Sequence, residues 1–242
     1  MIGKRLITNA LAALSGGKIG KLLWRKQRLL GDIKAMSLLP PLNIPFVPWS
    51  SSAAQPLAVN YMLNEIVING RRKVLELGSG ISTLYLATVL SRHGGTLLTV
   101  DHDENWLAVV ESYLEQMDIP KDTVRVCHAP IKDFETKRFG DLPWYDAQAV
   151  RSSVSGDSFD MLVVDGPEAW MKTARYARYP ALPLLSDALS ADAVVFLDDI
   201  DRKGERRILK HWAGQYSYKA QLRPEASVGI LRKTPEASYN IF

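Results

Sequence analysis

From residue 51 onward the chain alternates short apolar runs with segments of helical period, and this alternation most restricts what it can fold into. Strand-like runs fall at 73–77, 96–100, 123–127, 159–164 and 193–197. Apolar residues recur at helical spacing over 57–68, 82–90, 104–117, 179–189 and 202–212, the first of these led by Pro56. Runs at 218–222 and 227–231 suit a terminal hairpin. Strand followed repeatedly by helix predicts an α/β, doubly wound, mostly parallel sheet of seven strands, with helices on both faces and a C-terminal antiparallel hairpin. Such sheets bind ligands beyond the carboxyl ends of their strands, near the point where strand order reverses. Those ends carry the polar residues here: Gly78-Ser79-Gly80, Asp101, Asp165-Gly166-Pro167 and Asp198-Asp199.

A length of 242 residues with 47% hydrophobic content is enough for one large core and excludes a disordered or low-complexity chain. The single cysteine, Cys127, excludes an internal disulfide framework and a Cys-rich zinc site, and its apolar run predicts an inert core thiol. Charge is unevenly spread. Of 30 basic and 26 acidic residues, eight basic and one acidic (Asp32) lie in residues 1–36, so an arm of +7 precedes a remainder of −3. That remainder offers no electrostatic reason to expect nucleic acid.

The arm has no run near the ~18 apolar residues that span a bilayer. Lys4-Arg5 before 6–14 imitates a secretory signal, but Thr8 and Asn9 interrupt it; a basic, acid-poor start also resembles an organellar transit peptide. Residues 21–34 read as a helix with Leu22, Leu23, Leu29, Leu30 and Ile33 on one arc and Lys21, Arg25 and Arg28 largely opposite, Lys26 intruding. Two readings stand: a helix packed on the main domain with its basic face solvated, or contact of residues 1–36 with an anionic membrane surface or an acidic partner. Pro40, Pro41, Pro45 and Pro48 impose an extended hinge. The expected division is an arm and hinge over 1–48 and one domain over 49–242, in a cytoplasmic protein that is either free or peripheral to a membrane.

At the first strand end, the sequence Glu76-Leu77-Gly78-Ser79-Gly80-Ile81-Ser82-Thr83 combines a turn open to close ligand approach with the free N–H groups of a helix start. A dinucleotide fingerprint would place a third glycine near position 83, which is Thr83 here. Glu76 would repel a pyrophosphate and suits a ligand with a cationic amino group. Asp101, about twenty residues on, can accept both hydroxyls of a ribose or act as a turn residue. His102 is either a nucleoside contact or an exposed turn histidine.

With these residues in view, the stretch from Lys73 to about Trp212 resembles the class I S-adenosylmethionine (SAM)-dependent methyltransferases, a Rossmann-like family. Leu77–Leu84, Trp144-Tyr145-Asp146, Val164–Pro167, Arg178–Ala181 and Leu197–Asp199 are similar, in order and spacing, to a group of bacterial methyltransferase-like proteins. The resemblance implies that Glu76 orients the methionine end of SAM, that Gly78, Ser79, Gly80, Ser82 and Thr83 line it, and that Asp101 and His102 meet the ribose side. It also implies that Ala129, through its backbone, edges the adenine, and that Asp165 shapes the reacting end. Asp165 and Asp198 are the expected catalytic pair, and the acceptor is expected to be an oxygen of a small molecule or glycan.

Asp165, Asp198 and Asp199 end two strands expected to be neighbours. One reading gives them Mg²⁺ or another divalent cation, which would relieve their repulsion. The other has Asp198 and Asp199 capping the next helix and pairing with Arg202 or Arg206. Trp144, Tyr145, Trp170 and Tyr179 either stack on a substrate or pack beneath a loop, and residues 152–156 read as a flexible insertion able to serve as a lid. Two other functions suit the same residues. A metal-dependent nucleotide-sugar transferase would use Asp101-His102-Asp103 or Asp198–Asp201; a non-catalytic methyltransferase-like domain would only bind a cofactor or partner.

Overall fold

The computed structural model describes residues 18–44, 46–47, 49–50 and 52–233. The signal-like start, the rest of 1–17, and Pro45 and Pro48 of the hinge lie outside the described residues. In chain order the elements are α1 (Lys18–Met36), α2 (Pro56–Ile68), β1 (Lys73–Leu77), α3 (Ile81–His93), β2 (Thr96–Asp101), α4 (Glu104–Gln116), β3 (Val124–His128), β4 (Ile131–Thr136) and β5 (Gly140–Tyr145). There follow α5 (Ala147–Val154), β6 (Phe159–Val164), α6 (Ala181–Leu185), β7 (Leu189–Leu197), α7 (Lys203–Gln215), β8 (Lys219–Arg223) and β9 (Val228–Arg232).

Seven strands form one sheet in the order β3-β2-β1-β6-β7-β9-β8. The pairs β2–β3, β1–β2, β1–β6 and β6–β7 are parallel, and β9 runs antiparallel to β7 and β8. Strand side chains alternate between two cores. Val74, Leu97, Met161, Val163, Val194 and Phe196 face one cluster, shared with α2, α3 and α4. Leu75, Leu77, Leu98, Val100, Leu162, Val164, Val195 and Leu197 face the other, which includes Trp212 of α7 and Trp144 of β5. Both faces are therefore covered, and strand order reverses between β1 and β6, where such a fold opens a crevice.

Local chemistry sets the element ends. Asp103 caps α4 by accepting from the Trp106 N–H at 3.1 Å, and Asp146 caps α5 by accepting from Gln148 N at 2.9 Å. Gly94 closes α3 in the left-handed conformation, φ 70°.

Four expectations are corrected. The helix expected over 179–189 is only Ala181–Leu185 with a 3-10 turn at Ser186–Ala188, because Leu189 already pairs with Phe159 of β6. The segment read as a flexible insertion ends a regular helix, α5, whose Val150 and Val154 are buried. Cys127 is half-buried on the edge strand β3 rather than a core thiol. The β4–β5 hairpin was not expected, since its charged sequence hides the strand period, and only Thr136 of β4 is buried.

Helix α1 packs on α2, but through the side opposite to its leucine arc. Asn60 donates to the Ala35 carbonyl at 3.0 Å, and Leu57 of α2 packs beside Gly31. Arg28 donates to Gln55 Oε1 at 3.0 Å.

The end of β1 meets the end of β6 backbone to backbone. Gly78 has φ 97°, and a Cβ there would stand 2.7 Å from the Gly166 nitrogen. A Cβ on Gly166 would fall 2.0 Å from the Tyr145 hydroxyl oxygen. Adding a methyl at Gly78 is expected to cost about 2–4 kcal/mol through strain and overpacking. Calorimetry of Gly78→Ala should therefore show Tm lowered by about 5–10 °C; an unchanged Tm would refute the close contact.

Candidate active site

A cleft of about 380 Å³ opens at the switch point between β1 and β6. Its wall takes Gly78 and Ser79 from the end of β1, Asp101 from β2, and His102 and Asp103 just after it. Asp165, Gly166 and Pro167 come from the end of β6, and Asp198 and Asp199 from the end of β7. Trp106, Tyr145, Arg178 and Arg202 complete it, with Gln55 and the exposed Trp170 at its edge.

Asp101 sits in the wall with its carboxylate bonded to backbone: Oδ2 accepts from Ser79 N at 2.8 Å and Oδ1 from His102 N at 2.7 Å. The glycine turn is thereby fixed to the end of β2, and Trp106 closes over it by donating Nε1–H to the Ser79 carbonyl at 2.9 Å. Oδ1 also accepts from Asp103 N at 3.1 Å and is thereby filled, whereas Oδ2 keeps a further lone pair for a ligand hydroxyl. His102 Nδ1 lies 3.1 Å from Asp101 Oδ1.

Glu76 lies below this wall rather than in it. It is fully buried; Oε1 accepts from the Ser82 hydroxyl at 2.6 Å, and Oε2 from the hydroxyls of Thr83 at 2.6 Å and Thr99 at 2.8 Å. Thr83 Oγ1 in turn accepts from Gly80 N at 2.8 Å. Ser82 and Thr83 thus brace Glu76 and the start of α3 and do not line the cleft, and neither do Gly80 or the buried Ala129. Gly80 is extended and has open space where a Cβ would stand, so local packing does not demand glycine there.

At the opposite wall the guanidinium of Arg178 is buried among the acids. Nη2 lies 3.1 Å from Asp165 Oδ1, Nη1 lies 3.0 Å from Asp199 Oδ2, and the same group donates to the carbonyls of Pro167 and Asp198 at 3.2 and 3.3 Å. Arg202 pairs with Asp199 at 2.8 Å. The pairing reading of Asp199 therefore describes this wall, while the capping reading fails: Arg202 is the N-cap of α7 and no side chain caps it. Burial raises the carboxyl of Asp165 above the usual range despite Arg178. Burial, together with the charges of Asp165 and Asp199, raises Asp198 further, and its Oδ1 is buried without a partner.

The three acids lie close enough to share an ion, their ligand atoms within 4.8 Å of one another. Arg178 takes one oxygen of Asp165 and one of Asp199, so the guanidinium already supplies positive charge between the acids that a cation would otherwise bring.

Of the four aromatics singled out, Tyr145 and Trp170 reach the cleft, whereas Trp144 and Tyr179 are buried elsewhere in the packing. The Tyr145 hydroxyl is buried with no partner, and burial holds its pKa well above the ordinary tyrosine value. Arg178 was visible to the sequence only as part of a short Arg-Tyr-Pro-Ala word, which carried no hint of its ion pairs.

A family model described as a methyltransferase domain matches residues 75–200, just over half of the chain. The chain belongs to this methyltransferase family. No curated protein matches it. Among solved structures, this methyltransferase is similar to the SAH-bound methyltransferase PaMTH1 of Podospora anserina, at 13% identity over 86% of this chain and 88% of that one, TM-score 0.58. It is also similar to an O-methyltransferase of Bacillus cereus in complex with SAH, at 18% identity over 93% and 97% of the two chains, TM-score 0.55. The O-methyltransferase TomG of Streptomyces achromogenes, involved in tomaymycin synthesis and bound to SAM, matches at 17% identity over 84% and 90%, TM-score 0.54. These likenesses place the methyltransferase in the expected Rossmann-like fold. Neither the nucleotide-sugar transferase reading nor the non-catalytic one finds support among them.

Burial raises the pKa of Glu76 from 4.5 to about 7, against the lowering effect of its three hydroxyl partners. A raised folded-state pKa means that the stability this group contributes is complete below 4.5 and lost as pH climbs through about 7, a loss of roughly 3 kcal/mol. Glu205, also raised to about 7 by burial, acts in the same window. Denaturant unfolding at pH 5 and pH 8 should show Glu76→Gln losing roughly 3 kcal/mol less than the parent between those two values. Equal losses in both proteins would contradict this.

Proposed function

We propose that the chain transfers the methyl group of SAM to an oxygen of a small-molecule or glycan acceptor, with the cleft at the β1–β6 switch point as its site. The observation that carries the reading is Asp101, a carboxylate at the end of β2 whose backbone bonds hold the glycine turn against the same cleft. The family match supports methyl transfer, and the two O-methyltransferases among the similar structures support oxygen as the acceptor.

Bound SAM supplies an activated methyl on a sulfonium. The protein's task is then alignment and proton handling, and positioning of this kind supplies several kcal/mol of rate enhancement. Asp101 Oδ2, which accepts from Ser79 N alone, offers a free lone pair to a ribose hydroxyl, and the turn at Gly78 and Ser79 brings backbone close to the ligand. The Tyr145 hydroxyl stands unpartnered and buried in the cleft wall behind Gly166. Asp198 lines the cleft, and its carboxylate is the group that takes the acceptor's proton; a carboxylate in so dry a site is a stronger base than one in water. Arg178 keeps Asp165 and Asp199 fixed beside it. In this reading the guanidinium does the charge balancing that a divalent cation would otherwise do.

Calorimetry is expected to give a micromolar Kd for SAM, weakened tenfold or more in Asp101→Ala, since a hydrogen bond to a charged group contributes about 1.5–3 kcal/mol. Folded protein that gives no heat with SAM would sink the reading. Asp198→Asn should lower kcat by about a hundredfold or more while leaving SAM affinity unchanged. Turnover should also survive exhaustive chelation, and Mn²⁺ should give no stoichiometric binding by electron paramagnetic resonance; either a chelator-sensitive rate or a bound ion would overturn the metal-free assignment.

A further inference from the structure

The outward face of α1 is an exposed apolar surface that methyl transfer does not use. Leu22, Leu29, Leu30, Ile33 and Met36 stand 55, 60, 66, 59 and 49% exposed along this one helix. They form a continuous arc of about 120° at the helical repeat of ~100° per residue, and the docked positions Gly31 and Ala35 lie on the other side. Ordinary surface helices bury their apolar stripe and solvate the rest. Here the small, polar stripe is the one that docks.

We infer that this face binds an anionic membrane surface, the helix lying in the plane of the lipid headgroups. Charge favours it: Lys18–Met36 holds six Lys or Arg and one acid, and that acid, Asp32, is half-buried on the flank away from the centre of the leucine arc. Exposed Arg25 and Lys34 border the arc, where their stems can lie along hydrocarbon while their charges reach phosphates. Lys26 separates a membrane from the other occupants. It stands exposed within the arc itself, so an apolar protein groove would bury its charge, whereas at a lipid surface the charge stays wet. A second copy of the chain would set this basic face against its own image, since a two-fold contact pairs the same patch with itself. Among the described residues no helix is long and apolar enough to cross a membrane, so the mode is peripheral.

The helix is tied to the cleft. Arg28 bonds Gln55, which lines the cleft edge, and pairs at 3.4 Å with Asp201, two residues beyond Asp199. A lipid-bound α1 therefore holds the rim of the cleft beside the surface on which the helix rests.

The test is flotation of the full-length chain with phosphatidylcholine vesicles, with and without phosphatidylglycerol, at low and high salt. Binding is expected only with phosphatidylglycerol and should fall with salt. The double variant Leu29→Glu/Ile33→Glu should abolish it at unchanged Tm, and Lys26→Glu should weaken it about tenfold or more. Absence of binding to phosphatidylglycerol vesicles would overturn the inference. So would binding that survives the Leu29/Ile33 change, which would be charge adsorption alone, or a dimer in solution that the same change dissociates.

Discussion

The guanidinium of Arg178 is buried where β6 and β7 end, and the acids around it can exist together only because it is there. It reaches Asp165, Asp199 and the carbonyls of Pro167 and Asp198, so one side chain ties two strand ends and the loop between them. Removing one partner from a buried cluster of this kind leaves an uncompensated charge, typically at a cost of about 3–5 kcal/mol. The wall of the cleft is therefore an electrostatic construction as much as a packed one. Asp198, beside it with a free oxygen, inherits a dry and negatively charged setting, which makes a carboxyl a base.

The opposite wall is held by quite different means. Gly78 and Gly166 meet without room for a side chain, and Asp101 binds the turn that follows. Beneath them Glu76 gathers three hydroxyls and sets where α3 begins. A polar network this buried is stable only when every member has partners. Its acid is consequently a brace for the ligand wall. The two walls meet at the one place where strand order reverses, so the same topology that buries a parallel sheet on both faces also opens a crevice at its edge.

Helix α1 shows how packing can invert an amphipathic pattern. Gly31 and Ala35 face α2, where Asn60 donates to the Ala35 carbonyl, and Arg28 adds polar anchors at Gln55 and Asp201. The leucine arc is left facing outward. Periodicity identified the helix and its two faces, but it could not say which face docks, because that depends on the shape of α2.

Much of the fold was legible in the chain because the strands of a doubly buried sheet must be short, apolar and punctuated, as 73–77 and 159–164 are. The β4–β5 hairpin was not, because β4 is mostly exposed and charged and carries no apolar alternation to mark a strand. Strand-end acids were legible one by one: Asp101, Asp165, Asp198 and Asp199 all line the cleft. Their partners were not, since Arg178 lies 13 residues from Asp165 in sequence and only the return of the loop brings it back. Ser82 and Thr83 were visible as polar residues near a glycine turn, but that they face Glu76 rather than the cleft depends on how α3 leaves the sheet. By itself, then, the sequence determined the order of strands and helices and the chemistry at the strand ends, because these follow from local period and residue type. Only the tertiary structure decided which of those groups face the cleft, which neutralise one another and which side of α1 meets solvent, because these depend on contacts between segments far apart in the chain.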